Sequence, residues 1–206
     1  MKKLIILVCF IQLFSNYVHS KSTILFLGDG MGITTITAAR IYEGQAKGVD
    51  GESHSLSFEN FDNVAFVKTY SADAQIPDSA GTMSAIMTGQ KTRSGVISVG
   101  PEFDRGDCES VLKDSRTTII ELAEKAGLKT GIITTARITD ATPAATYAHA
   151  SDRTWENDSK IPEVSTEKGC TDIANQLVVF SYGDGIDLAF GGGRSNFHAS
   201  TTPDLE

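Results

Sequence analysis

Thr117-Thr118-Ile119-Ile120-Glu121-Leu122-Ala123-Glu124-Lys125-Ala126-Gly127-Leu128-Lys129-Thr130-Gly131-Ile132-Ile133-Thr134-Thr135 changes its periodicity part-way along. From Thr117 to Ala126, apolar Ile119, Ile120, Leu122, Ala123 and Ala126 alternate with Glu121, Glu124 and Lys125, which predicts a helix. Gly127 stands where a helix commonly stops. Lys129 to Thr135 is short and rich in β-branched residues, which predicts a strand. A helix, a glycine stop and a strand thus follow in immediate succession.

The same alternation extends in both directions. Ser22-Thr23-Ile24-Leu25-Phe26-Leu27 is a continuous apolar run, read as a buried strand, and Gly28-Asp29-Gly30-Met31-Gly32 closes it as a loop. Ile33 to Glu43 reads as a helix, Gly44 to Ser57 as a loop, and Asn63 to Tyr70 as a second strand. Ala80 to Thr88 is a helix of small residues, with a short strand possible at Val96 to Val99. Pro143 to Ala150 reads as a short helix, Ser151 to Ser165 as irregular chain, and Thr171 to Tyr182 as a helix. Asp187 to Phe190 is a fourth strand, closed by Gly191-Gly192-Gly193. Together these predict an α/β fold of three layers, α/β/α, with a mostly parallel central sheet. Ligands bind beyond the carboxyl ends of strands in such sheets, and Asp29, Ser79 and Asp140 all follow predicted strands.

The chain has 206 residues and a net charge of -8. That charge argues against general nucleic-acid or anionic-membrane binding. Met1-Lys2-Lys3, apolar Leu4 to Phe14 and Val18-His19-Ser20 have the pattern of a signal peptide over residues 1–20, with a mature start near Lys21. The apolar run is short for a membrane span. The expected location is therefore periplasmic or secreted, with a membrane anchor left open. Cys9 leaves with the leader. Cys108 and Cys170 remain, to be read as a disulfide or as two buried free thiols.

Gln75-Ile76-Pro77-Asp78-Ser79-Ala80-Gly81-Thr82 leads into the small-residue helix. Asp78 or Ser79 there can be a helix N-cap. Alternatively, Ser79 is a nucleophile whose phosphate would face the positive end of the helix. Asp29, among glycines, is either a turn residue or a divalent-cation ligand. Thr142, before Pro143, is a natural N-cap, and His149 reads as a structural histidine. Arg153 is either a surface arginine or a planar fork for two phosphate oxygens.

Taken in order, Gly28-Asp29-Gly30-Met31-Gly32, Pro77-Asp78-Ser79-Ala80-Gly81-Thr82, Asp140-Ala141-Thr142-Pro143-Ala144-Ala145-Thr146-Tyr147-Ala148-His149 and Arg153-Thr154-Trp155 resemble the motifs of the alkaline phosphatase family. Gly191-Gly192-Gly193-Arg194 resembles a later signature of that family. The resemblance implies that Ser79 is the nucleophile and forms a phosphoserine. It implies that Asp29 bridges a zinc and the magnesium, that Ser79 meets a zinc, and that Thr142 and Asp140 serve the magnesium. Asp140 stands where animal members usually carry histidine. Arg153 would clamp the phosphate and Asp78 would orient Arg153. Cys108 and Cys170 resemble the paired cysteines of animal-type members. The implied reaction is hydrolysis of small phosphate monoesters by two in-line displacements, with two Zn2+ and one Mg2+, in an enzyme that is a homodimer at full length.

Few zinc ligands are in view. The mature chain has only His54, His149 and His198, and none lies in a closely spaced ligand motif. Residues 21–206 therefore read as the N-terminal part of an alkaline phosphatase domain, incomplete at its C-terminus. On its own it is expected to be essentially inactive and poorly soluble. An exported, non-catalytic phosphate-binding fragment or a gene remnant is the alternative.

Overall fold

A computed structural model describes residues 22–198. The leader expected over residues 1–20 lies outside the described residues. Helix α1 spans Ile33–Ala46, α2 Ser79–Thr88, α3 Cys108–Asp114 and α4 Ile119–Lys125. Strand β1 (Gly131–Arg137) follows, then α5 (Ala141–Ala144), α6 (Glu163–Glu167), α7 (Ile173–Val178) and β2 (Leu188–Gly192). Short 3-10 turns lie at Ser57–Asn60 and Arg194–Phe197. Helix α6 begins inside the stretch that reads as irregular, Ser151 to Ser165, and α3 lies where no helix is predicted.

β1 and β2 pair in parallel, with Gly131 opposite Leu188 and Ile133 opposite Phe190. The register shifts between Ile133 and Arg137, where β1 bulges. Gly191 lies beside that irregularity, and a Cβ there would come 2.7 Å from the Thr134 methyl. The fold is thus α/β with a parallel sheet, as the alternation predicts. The described sheet has two strands, because the two earlier runs do not join it. Residues 22–27 and 63–70 carry no strand hydrogen bonding. Their apolar side chains face outward, with Phe26 88% and Phe66 92% exposed. A strand needs a hydrogen-bonded neighbour on its flank, and none of the described residues provides one. The segment at Val96 to Val99 makes only isolated bridges, Ile97 to Ala150 and Val99 to Ser115.

α4 begins with a reciprocal capping box. The Thr118 hydroxyl accepts from the Glu121 N–H at 3.2 Å, and the Glu121 carboxylate accepts from the Thr118 N–H at 2.9 Å. It ends at Gly127, whose φ of 70° is the left-handed stop that the sequence calls for. Its orientation is unexpected, since Glu121 and Glu124 are buried while Ile119 and Leu122 are exposed.

Glu121 goes inward because it has partners there. Its carboxylate meets His149 Nε2 at 2.6 Å, and His149 Nδ1 donates to the Ser98 carbonyl at 2.9 Å. His149 is therefore the structural histidine that its sequence context suggests. Burial opposes its charge, but the Glu121 carboxylate and the Ser98 carbonyl outweigh burial and hold its pKa above the ordinary value. A raised folded-state pKa stabilises the fold fully below the unfolded value, about 6.5. That contribution disappears as pH rises through the folded value. Melts between about pH 5 and pH 9 should show a fall in Tm above about pH 6.5. His149→Gln should flatten it, and an equal slope in that variant would contradict the assignment.

The core packs α2 against α5 and its continuation. Ala80, Met83, Ile97, Ile138, Ala141, Ala144, Tyr147 and Ile173 form one buried cluster. The alanines let the two helical segments approach closely, and that approach sets Ser79 near Asp140. A second cluster gathers Cys108, Trp155, Ile161 and Cys170. Cys108 and Cys170 are disulfide-bonded there, with a Cα–Cα distance of 6.0 Å.

Candidate active site

Ser79 is the first residue of α2, and Asp78 is its N-cap. The Asp78 carboxylate accepts from the Gly81 N–H at 3.0 Å. The capping role therefore falls to Asp78 and leaves the Ser79 hydroxyl free for another partner. That partner is Arg153, whose Nη1 donates to Ser79 Oγ at 3.0 Å. The same Nη1 donates to Asp78 Oδ2 at 3.1 Å, and Nη2 donates to Asp140 Oδ1 at 3.1 Å. One guanidinium thus joins three residues from two distant motifs. All four are partly buried, which strengthens their electrostatics over those of a surface pair.

Asp78 accepts a further hydrogen bond from the Gly95 N–H, at 3.0 Å. Burial works against its charge, and the Gly81, Gly95 and Arg153 donors overcome it, so its carboxyl titrates below the usual range. Gly95 was not legible as a site residue. The only trace in the sequence is a glycine after Arg93-Ser94, and its φ of 78° shows what it is for.

Asp140 lies just past the carboxyl end of β1, where the sheet rule places a ligand site, and it caps α5. Thr142 is inside that helix, so the N-cap reading does not apply to it. Its hydroxyl donates to Asp29 Oδ2 at 2.7 Å, across more than a hundred residues of chain. Asp29 is carried by the turn at Gly28 to Gly32, where the Gly32 N–H bonds the Gly30 carbonyl. The structure so brings together Arg153, Ser79, Asp78 and Asp140 in one group, and Asp29 with Thr142 in another. Asp140 and Thr142 stand at the start of the same short helix.

The alkaline phosphatase family profile matches residues 20–206. The chain belongs to the alkaline phosphatase family. It is 43% identical over 191 residues to the alkaline phosphatase of Gadus morhua, covering 93% of this chain and 40% of the cod protein. It is 42% identical over 187 residues to the tissue-nonspecific isozyme of Homo sapiens, covering 91% of this chain and 35% of the human protein. The chain therefore spans well under half the length of these curated relatives. Among solved structures, the alkaline phosphatase of the Antarctic bacterium TAB5 superposes with a TM-score of 0.52 at 27% identity, over 71% of this chain and 35% of that one. A variant of the TAB5 enzyme is described with Mg bound.

In this alkaline phosphatase chain, Asp29 and Thr142 offer only oxygen donors, the set that magnesium prefers. Their 2.7 Å separation is that of a hydrogen bond, and it keeps the two oxygens side by side. The pair fits part of a magnesium site. Zinc favours nitrogen and sulfur donors. Among the described residues no three of His, Cys, Asp or Glu come together in a group that could hold a metal. The described residues do not make up a zinc site.

Proposed function

We propose that this chain supplies the nucleophile and phosphate clamp of an exported phosphomonoester hydrolase, acting through a phosphoserine at Ser79. The observation that carries this reading is the Arg153 guanidinium held against Ser79 Oγ by Asp78 and Asp140. Ser79 Oγ attacks phosphorus, its O–P bond forms as the ester O–P bond breaks, and the hydroxyl proton passes through solvent to the departing oxygen, which leaves as the alcohol. Water then displaces phosphate from Ser79 and restores the hydroxyl. Arg153 Nη1, 3.0 Å from Ser79 Oγ, would offset the charge of a phosphoryl group carried there. The positive end of α2 adds to that field. Asp78 and Asp140 fix the plane of the fork and turn its donors toward Ser79. Asp29, Thr142 and Asp140 would hold magnesium. When bound, the family's zinc and magnesium supply Lewis-acid stabilisation of the attacking and leaving oxygens.

A non-catalytic phosphate-binding role is the second reading, favoured by the absence of a gathered zinc set among the described residues. Both readings require phosphate at Arg153. Arg153→Ala should weaken binding of inorganic phosphate about a hundredfold, the equivalent of about 2.7 kcal/mol. Isothermal titration of the two chains measures this. Equal affinities would sink both readings. Phosphate binding unaffected by chelator, with no phosphoserine formed at Ser79 when Zn2+, Mg2+ and a phosphate monoester are supplied to a cod alkaline phosphatase carrying residues 20–206, would favour the second.

A further inference from the structure

Arg153 is held in place by more than its two carboxylates. Its backbone N–H donates to the Gly95 carbonyl at 2.8 Å, while the Gly95 N–H bonds Asp78. Gly95 thus ties the residue before the nucleophile to the backbone of the clamp. On either side of Arg153, Asp152 and Thr154 form a closed turn. Asp152 Oδ1 accepts from both the Thr154 N–H and the Thr154 hydroxyl, each at 2.8 Å.

Asp152 is itself gripped by a residue that no motif contains. Arg105 Nε donates to Asp152 Oδ2 at 2.9 Å and Arg105 Nη2 to Oδ1 at 2.8 Å, a two-pronged pair. The Arg105 guanidinium also lies across Gly95, where a Cβ would come 2.5 Å from its central carbon. Next to it, the Gly106 N–H bonds the Ser151 carbonyl at 2.8 Å. Cys108, close along the same loop, is disulfide-bonded to Cys170. The loop that carries Arg105 is therefore pinned to the Arg153 turn at several points.

We propose that Arg105 is a positioning residue for the phosphate clamp, acting on Arg153 through the Asp152–Thr154 turn and through Gly95. The proposal rests on the reading of Arg153 as that clamp. Arg105 forms no hydrogen bond to Ser79, Asp78 or Asp140; its charge is felt at Asp78, and its contacts lie on the turn and on Gly95. The fork geometry matters here, because a lysine keeps the charge but cannot make both bonds to Asp152.

The test uses the 206-residue chain and its Arg105→Ala, Arg105→Lys and Asp152→Asn variants. Two quantities are measured: the affinity for inorganic phosphate, and hydrogen exchange at the Arg153 and Thr154 amides without phosphate. Arg105→Ala is expected to weaken phosphate binding about tenfold. It is also expected to speed exchange at the Arg153 amide about tenfold, with the far-UV spectrum unchanged. Arg105→Lys should resemble Arg105→Ala. Adding Asp152→Asn to Arg105→Ala should cost little more, because the two act as one unit.

If Arg105→Lys binds phosphate as the natural chain does, Arg105 acts by charge alone and the positioning role is wrong. Unchanged amide exchange in Arg105→Ala also overturns it. If the natural chain binds no phosphate, the clamp reading fails, and the exchange result still decides whether Arg105 orders the turn. A variant that loses its far-UV signal would show that Arg105 holds the fold rather than the clamp.

Discussion

In a cod alkaline phosphatase whose matching region is replaced by residues 20–206, Ser79→Ala is expected to lower hydrolysis of a chromogenic phosphate monoester by about 10⁴-fold or more. The reason is local. No neighbouring group can replace the Ser79 hydroxyl. The Asp78 carboxylate is occupied by the Gly81, Gly95 and Arg153 donors. The Thr82 hydroxyl donates back to the Asp78 carbonyl at 2.8 Å. Ser84 is buried, bonded to the Val96 carbonyl and the Ser98 N–H. Phosphate affinity should change far less, because Arg153 and the end of α2 remain. Steady-state kinetics at saturating metal give the comparison. A variant that keeps a tenth of the parent rate would show that Ser79 is not the nucleophile.

The second large effect concerns stability. Replacing Cys108 and Cys170 by serine is expected to cost about 4 kcal/mol, from the chain entropy released when a loop of this length opens. The separation of the two cysteines is 62 residues. Typical domains have only about 5–15 kcal/mol of stability in all. The same bond is also part of the core, since both cysteines are buried beside Trp155 and Ile161. Urea unfolding of the double variant would measure the loss. A change of less than about 1 kcal/mol would mean that the loop is held by its other contacts, such as Gly106 to Ser151.

The features legible in the sequence are those decided by local chemistry. The helix at Thr118 to Gly127 is set by a capping box and a left-handed glycine, and both are visible in the residues. β1 and β2 were legible because each finds the other as a neighbour. The runs at 22–27 and 63–70 have the same apolar signature and form no strand. Periodicity shows that a segment is suited to a buried sheet, but not that a partner is present. α4 shows the same limit on a smaller scale. Its apolar residues mark a helix without fixing which face turns inward, and His149 and the Thr118 cap draw Glu121 inside.

Of the site, Asp29, Asp78, Ser79, Asp140, Thr142 and Arg153 could be named from motifs, and the structure brings them into two adjoining groups. Gly95, Arg105 and the role of Asp152 could not. They act through backbone carbonyls, a turn and a side-chain pair 47 residues apart, and no residue pattern reports such contacts. The division between a capping Asp78 and an available Ser79 also needed the geometry, since either residue type caps a helix well.

Arg153 is proposed to hold phosphate beside Ser79. The most direct measurement is a titration of the nitrogen-15-labelled chain with inorganic phosphate, following backbone amides and arginine side chains by NMR. The account predicts saturable shifts centred on the Arg153 guanidinium and the Ser79 and Ala80 amides, absent in Arg153→Ala. Saturable shifts centred elsewhere, or none at all, would contradict it.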